Sequence, residues 1–125
     1  MERAMKTDEI DFLIVDDSRD AADSLAALLE VLGHRTQAAY NAIEALECAR
    51  TSKPLCVMLD INMPGMDGLD LAREFRRTCG DDVVLVAVTG YSADHPRVAE
   101  TFAIVDHYFT KPVSTADLRR VLPSR

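Results

Sequence analysis

Leu55-Cys56-Val57-Met58-Leu59-Asp60-Ile61-Asn62-Met63-Pro64-Gly65-Met66-Asp67-Gly68 decides the reading of the chain, because an apolar block runs straight into a carboxylate and then into turn residues. The five apolar residues after Pro54 predict a strand covered on both faces. A charge at the end of such a strand belongs at the edge of the sheet. Pro64, Gly65 and Gly68 turn the chain, and Gly68-Leu69 opens a helical pattern, so Asp60 falls in a strand-to-helix crossover. Open α/β sheets place ligands at the carboxyl ends of parallel strands. Alone, Asp60 would read as an acid that caps or solvates a strand end. Its company elsewhere changes that.

Upstream, Ile10-Asp11-Phe12-Leu13-Ile14-Val15 is a β-branched-rich strand that also ends in acid, Asp16-Asp17. Ser18 or Asp17 caps a helix whose Ala22, Leu25, Leu28, Leu29 and Leu32 keep helical spacing until Gly33. Arg35 to Tyr40 is a weaker strand near an edge. Asn41 with Glu44 starts a short helix in the manner of a capping box, and Lys53-Pro54 ends it. After the Leu55 to Asp60 strand, Leu71, Ala72, Phe75 and Cys79 form the buried stripe of a helix from about Leu69 to Cys79, closed by Gly80.

Val83 to Val88 is six apolar residues in a row, another strand covered on both faces, and it ends in Thr89-Gly90-Tyr91. Pro96 fits the first turn of a helix running to about Phe102, with Asp94 as its cap. Asp106-His107-Tyr108-Phe109 is a short fifth strand ending in Thr110-Lys111-Pro112, and Ser114 or Thr115 begins a last helix that Pro123 stops. The alternation of strands and helices implies an α/β fold: a flavodoxin-like, doubly wound three-layer sandwich. Its five-stranded parallel sheet takes the order 2-1-3-4-5 with helices on both faces.

With 125 residues and 13.8 kDa, the chain is expected to form a single domain over residues 10–125 after a mobile tail at 1–9. A net charge of −7 argues against nucleic-acid binding, which relies on counterion release by Lys and Arg. No apolar run reaches membrane-span length and no signal-peptide core is present, so the expected location is cytoplasmic. Cys48, Cys56 and Cys79 lie in apolar patterns without a C-x-x-C pair and read most simply as reduced, buried thiols, with metal binding a remote alternative. His34, His95 and His107 form no set and read as surface or structural.

All carboxyl ends of a parallel sheet lie on one side, so Asp16, Asp17, Asp60, Thr89 and Lys111 should converge. Three carboxylates in one crevice repel each other by about 1 to 4 kcal/mol per pair at 4 Å. Lys111 supplies one compensating charge, and a hard divalent cation with oxygen ligands, Mg2+, supplies more. Without Cys or His among the acids, structural zinc is disfavoured. Such a site lets Asp60 attack a phosphoryl group in line and become an acyl phosphate. Lys111 pairs with one phosphoryl oxygen, and Thr89 donates to another.

At Val15-Asp16-Asp17-Ser18, Leu59-Asp60-Ile61-Asn62-Met63-Pro64-Gly65-Met66-Asp67-Gly68, Val88-Thr89-Gly90 and Lys111-Pro112 the chain resembles the receiver domain of response regulators in two-component signalling. The resemblance covers nearly all of Ile10 to Leu122. It implies that Asp60 is the phosphoacceptor. Mg2+ is bound by the side chains of Asp17 and Asp60, by the Asn62 backbone carbonyl and, through water, by Asp16. Lys111 and Thr89 contact the phosphoryl group.

Tyr108 matches the family's switch aromatic, turning inward as Thr89 moves to the phosphate and shifting the face of the fourth helix, fifth strand and fifth helix. A cis Lys111-Pro112 peptide is implied as well. Asn62 and Tyr91 flank the path of attacking water and tune phosphate lifetime. Implied partners are a histidine kinase or histidine phosphotransfer protein and a downstream protein target, with a phosphorylation-dependent homodimer left open.

The chain departs from the family at Ala103-Ile104-Val105, where glycine usually precedes the fifth strand, and in its short last helix. Two other functions compete with the phosphorylatable switch, which catalyses only its own phosphorylation and dephosphorylation and is otherwise no enzyme. One is a phosphorylation-independent receiver-like binding module, for which the acidic set has no use. The other is a small Mg2+-dependent phosphohydrolase working through an aspartyl phosphate, for which the chain offers Asn62 in place of a general acid and no cap.

Overall fold

The apolar blocks become the central strands of a parallel sheet because helices cover them on both sides. β1 (Phe12–Val15), β2 (Thr36–Ala39), β3 (Cys56–Asp60), β4 (Val84–Thr89) and β5 (His107–Thr110) lie side by side in the order β2-β1-β3-β4-β5. Every pairing is parallel. The computed structural model describes residues 10–63, 66–80, 82–90 and 103–121, with side chains at 62, 63, 66 and 67 left aside. The expected tail at 1–9, the Pro64-Gly65 turn, Tyr91, the helix from Pro96 to Phe102 with its Asp94 cap and His95, and the Pro123 stop lie outside the described residues.

Alternate residues of one strand serve opposite cores. Leu13 and Val15 join Ala45, Ala49, Leu71 and Phe75 beneath α2 (Ala42–Ser52) and α3 (Gly68–Cys79). Phe12 and Ile14 join Ala22, Leu29, Phe109 and Leu118 beneath α1 (Arg19–Val31) and the C-terminal helix (Thr115–Arg119). A strand buried on both faces has no polar side to alternate with, hence the unbroken apolar runs of β3 and β4.

Local chemistry sets the helix ends. Ser18 caps α1 by accepting from the Ala21 amide at 3.2 Å. Gly33 follows at φ +96°, a conformation that suits glycine. The Ser114 hydroxyl and the Asp117 carboxylate cap the C-terminal helix reciprocally. At α2 the box is displaced by one residue: Asn41 Oδ1 accepts from the Glu44 amide at 2.8 Å, whereas Glu44 Oε1 takes the Tyr40 amide at 2.9 Å.

Several expected boundaries shift in the structure. Leu55 is 50% exposed and precedes β3, which begins at Cys56, because the chain emerging from Pro54 reaches the sheet one residue later. β4 spans Val84 to Thr89, one residue later at both ends than the expected Val83 to Val88, so that Val83 precedes the strand and the backbone of Thr89 pairs with Thr110. The loop after β3 forms a two-residue antiparallel ladder, Asn62–Met63 against Met66–Asp67, where turn residues alone were expected.

His34 is structural, edge-on to Phe12 at 5.4 Å and 3.5 Å from an Asp11 carboxylate oxygen. Cys48 and Cys56 are buried and Cys79 is half-buried, all as free thiols. Burial pushes the Cys56 thiol up to about 12.

The Ala103-Ile104-Val105 departure is accommodated by Arg76. Its Nε donates to the Ile104 carbonyl at 3.2 Å, one terminal nitrogen to the Val83 carbonyl at 2.7 Å, and the other to Asp106 Oδ2 at 2.6 Å. The same Asp106 oxygen takes the Leu85 amide at 2.9 Å. One guanidinium thus ties the end of α3 to the approaches of β4 and β5. Arg76→Ala is expected to cost about 2–3 kcal/mol by stranding these acceptors. Urea unfolding should show a lower midpoint at unchanged slope, and Arg76→Lys should recover little because one ammonium cannot span the fork.

Candidate functional site

Strand register decides which side chains meet. Val15 pairs with Leu59, Asp60 with Val88, and Thr89 with Thr110, so the residues at or just past these pairs line one edge of the sheet. The Lys111 amide continues the ladder by donating to the Thr89 carbonyl at 2.8 Å. Asp16 and Asp60 are buried, Thr89 fully so, while Asp17 is exposed.

Lys111 bridges the two buried acids. Its Nζ donates to Asp16 Oδ2 at 3.1 Å and to Asp60 Oδ2 at 3.3 Å. Burial works against the ammonium, but the Asp16 hydrogen bond and the Asp60 charge outweigh it, so its pKa lies above the ordinary 10.5. The stabilisation from this raised pKa is complete below the ordinary value and is lost as pH climbs through the raised one, leaving the lysine charged across the neutral range. The second Asp16 oxygen is also engaged, taking the Ser18 amide at 3.0 Å. Asp17 has no hydrogen bond or ion pair among the described residues.

Asp16, Asp17 and Asp60 each offer a carboxylate oxygen, and these atoms lie within 4.8 Å of one another. An all-oxygen donor set of this kind fits a hard divalent cation such as Mg2+, which prefers one or two carboxylates and retained waters. Tyr108, half-buried, pairs with Ala87, which puts its side chain on the same face as Thr89. Burial raises the phenol pKa, and a hydrogen bond with the Thr89 side chain draws it back in part.

The Lys111-Pro112 peptide is cis. Beside it, a groove of about 330 Å³ lined by Asp16, Leu25, Leu28, Val88 and Val113 opens between α1 and the loop after β5. The structure therefore gathers Asp16, Asp17, Asp60, Thr89, Tyr108 and Lys111. Asn62 lies in the short ladder with its side chain outside the described residues, and Tyr91 lies wholly outside them.

Sequence reasoning passed over a structural requirement next to this site. Gly68 opens α3 against the peptide that follows Asp60, and a Cβ built there would stand 2.1 Å from the Ile61 Cα. The only signal was a glycine opening a helix shortly after a strand-end acid.

A doubly wound parallel sheet with acids, a buried threonine and a lysine on its carboxyl edge defines the receiver class of two-component signalling. Residues 12–122 match the response regulator receiver domain family, and the chain belongs to it. Response regulator MprA of Mycobacterium ulcerans is 36% identical over 106 residues, which cover 85% of this chain and 45% of that protein. Response regulator MprA of Mycobacterium avium is 35% identical, with coverages of 85% and 46%. The chain thus spans less than half the length of these curated relatives.

A CheY-like receiver domain from Methylobacillus flagellatus superposes with TM-score 0.80 at 30% identity, covering 90% of this chain and 95% of that one. The response regulator TrrA of Thermotoga maritima, solved in complex with Mg2+-BeF, gives 0.76 at 30% identity, covering 87% and 92%. Among the described residues no helix is long and apolar enough to cross a membrane.

Proposed function

We propose that this receiver domain accepts a phosphoryl group on Asp60 from a phosphohistidine of a histidine kinase or histidine phosphotransfer protein. The observation that carries the reading is the Lys111 ammonium held 3.1 and 3.3 Å from two buried carboxylates, with an oxygen of Asp17 close by. An Asp60 carboxylate oxygen attacks phosphorus as the phosphorus–nitrogen bond breaks, and the departing imidazole keeps the electron pair. Mg2+, held by Asp17, Asp60, the Asn62 carbonyl and, through water, Asp16, would neutralise charge on the phosphoryl oxygens. Lys111 leaves its carboxylate partners to pair with one phosphoryl oxygen. Thr89 donates to another.

Thr89 exchanges its Tyr108 bond for the phosphoryl group, and Tyr108 is then released to a second packing. That change reaches the face of the fourth helix, fifth strand and fifth helix, where a downstream protein reads it. Asn62 and Tyr91 set how fast water removes the phosphoryl group.

Incubation with acetyl phosphate and Mg2+ should add one phosphoryl mass that base removes. An unlabelled protein with no spectral response to beryllofluoride would favour a phosphorylation-independent binding module. Multiple turnover of a small phosphate ester would favour a phosphohydrolase.

Lys111 and Mg2+ compete for the same negative charge. Lys111→Ala is expected to raise Mg2+ affinity a few-fold while removing the response of Tyr108 to phosphorylation, on the roughly 1–4 kcal/mol scale of close charge pairs. Calorimetric Mg2+ titration beside Tyr108 amide shifts measures both, and weaker Mg2+ binding in the variant contradicts the competition.

A further inference from the structure

The Asp17 carboxylate is exposed and, among the described residues, held by no side-chain or backbone partner. Its position is therefore set by the backbone that carries it, between the end of β1 and the first turn of α1. On the β1 side, the Asp16 amide is fixed to the Ala39 carbonyl at 3.1 Å. On the α1 side Ser18 is held by its amide, which donates to Asp16 Oδ1 at 3.0 Å, and by its hydroxyl, which accepts from the Ala21 amide at 3.2 Å; a further grip comes from the next residue of the β2 terminus, Tyr40. Its ring lies beneath the Arg19 guanidinium, 4.0 Å from the guanidinium carbon to the ring centroid. Its hydroxyl donates to Asp23 Oδ1 at 2.6 Å.

Arg19 and Asp23 stand one helical turn apart, so one aromatic side chain clamps the opening of α1 at two points. Tyr40 is itself anchored, since its amide donates to Glu44 Oε1 at 2.9 Å at the start of α2.

We infer that Tyr40 is a positioning residue for the Mg2+ site, clamping Arg19 and Asp23 so that the untethered Asp17 carboxylate stays within reach of Asp60. The inference rests on the Mg2+ reading of the acidic site. It assigns Tyr40 no contact with metal or phosphate. Its effect passes through the Asp17 backbone, as the partners behind a metal ligand act through the ligand they orient.

Mg2+ titration followed by the backbone amide shifts of Asp17 and Asp60 tests it, with urea midpoints measured without Mg2+ alongside. Tyr40→Leu should weaken Mg2+ binding about three- to tenfold, at or below the low end of the roughly 10–100-fold that removing a partner of a metal ligand costs, because Tyr40 acts on the ligand only through the backbone. Tyr40→Phe, which keeps the ring under Arg19 but loses the Asp23 bond, should fall between Tyr40→Leu and wild type. In an Asp17→Asn background, Tyr40→Leu should change Mg2+ affinity no further.

Equal affinities for wild type and Tyr40→Leu, or the same loss with and without Asp17, overturn the inference and leave the phosphoryl reading standing. Absence of Mg2+ binding to the wild type removes both. Should Tyr40→Leu fail to fold, Tyr40→Phe and Arg19→Gln, each expected to weaken binding about twofold, decide in its place, and unchanged affinity in both overturns the inference.

Discussion

Asp60→Asn should take up no phosphoryl group from acetyl phosphate and Mg2+, a complete loss detected by intact mass. The amide is nearly isosteric with the carboxylate, so the fold should persist. It is a far poorer nucleophile and carries no charge to attract Mg2+. In the wild type the Asp60 carboxylate is buried and shares the Lys111 ammonium with Asp16, so replacing it leaves Lys111 with Asp16 as its one carboxylate partner from that pair. Circular dichroism unchanged from wild type, together with zero added mass, is the expected pair of results. Residual base-labile labelling in Asp60→Asn would place the acceptor on another carboxylate, and Asp17→Asn would then be the variant to compare.

Gly68→Ala is expected to be the most disruptive of the small substitutions. The added methyl would sit 2.1 Å from the Ile61 Cα and 2.7 Å from its carbonyl carbon and oxygen. These neighbours are backbone, so no rotamer change relieves the overlap. Either the start of α3 or the chain just after Asp60 must move. Overpacking against rigid structure costs about 3 kcal/mol or more, which lowers the urea midpoint well beyond the uncertainty of the measurement. Because Ile61 directly follows Asp60, Mg2+ affinity should fall along with stability. An unchanged midpoint would mean that the loop after β3 yields freely, contrary to the close contact.

Legibility followed how local each determinant was. β3 and β4 were readable because burial on both faces leaves a continuous apolar run, whereas Thr36–Ala39, at the sheet's margin and only part-buried, gave a weak pattern. Leu55 reads as strand on hydropathy alone, although it is half exposed, because a single sequence does not say where a chain leaving Pro54 meets its neighbours. The ladder from Asn62 to Asp67 was hidden because two-residue pairings carry no periodic signature. Nothing local marks Arg76 out from Arg73 and Arg77 on the same helix. Its carbonyl partners belong to segments brought together only by folding.

Taken alone, the order of residues determined which chemistry stands at which strand end. Apolar runs, caps and turn glycines act over a few neighbours, and parallel crossovers oblige every carboxyl end to share one side. The tertiary structure decided the pairings within that edge: Lys111 with both Asp16 and Asp60, Asp17 without a tether among the described residues, Tyr40 across α1, and Gly68 against Ile61. Such contacts join positions as far as 95 residues apart, and their lengths follow from strand register and helix seating, which no local pattern encodes.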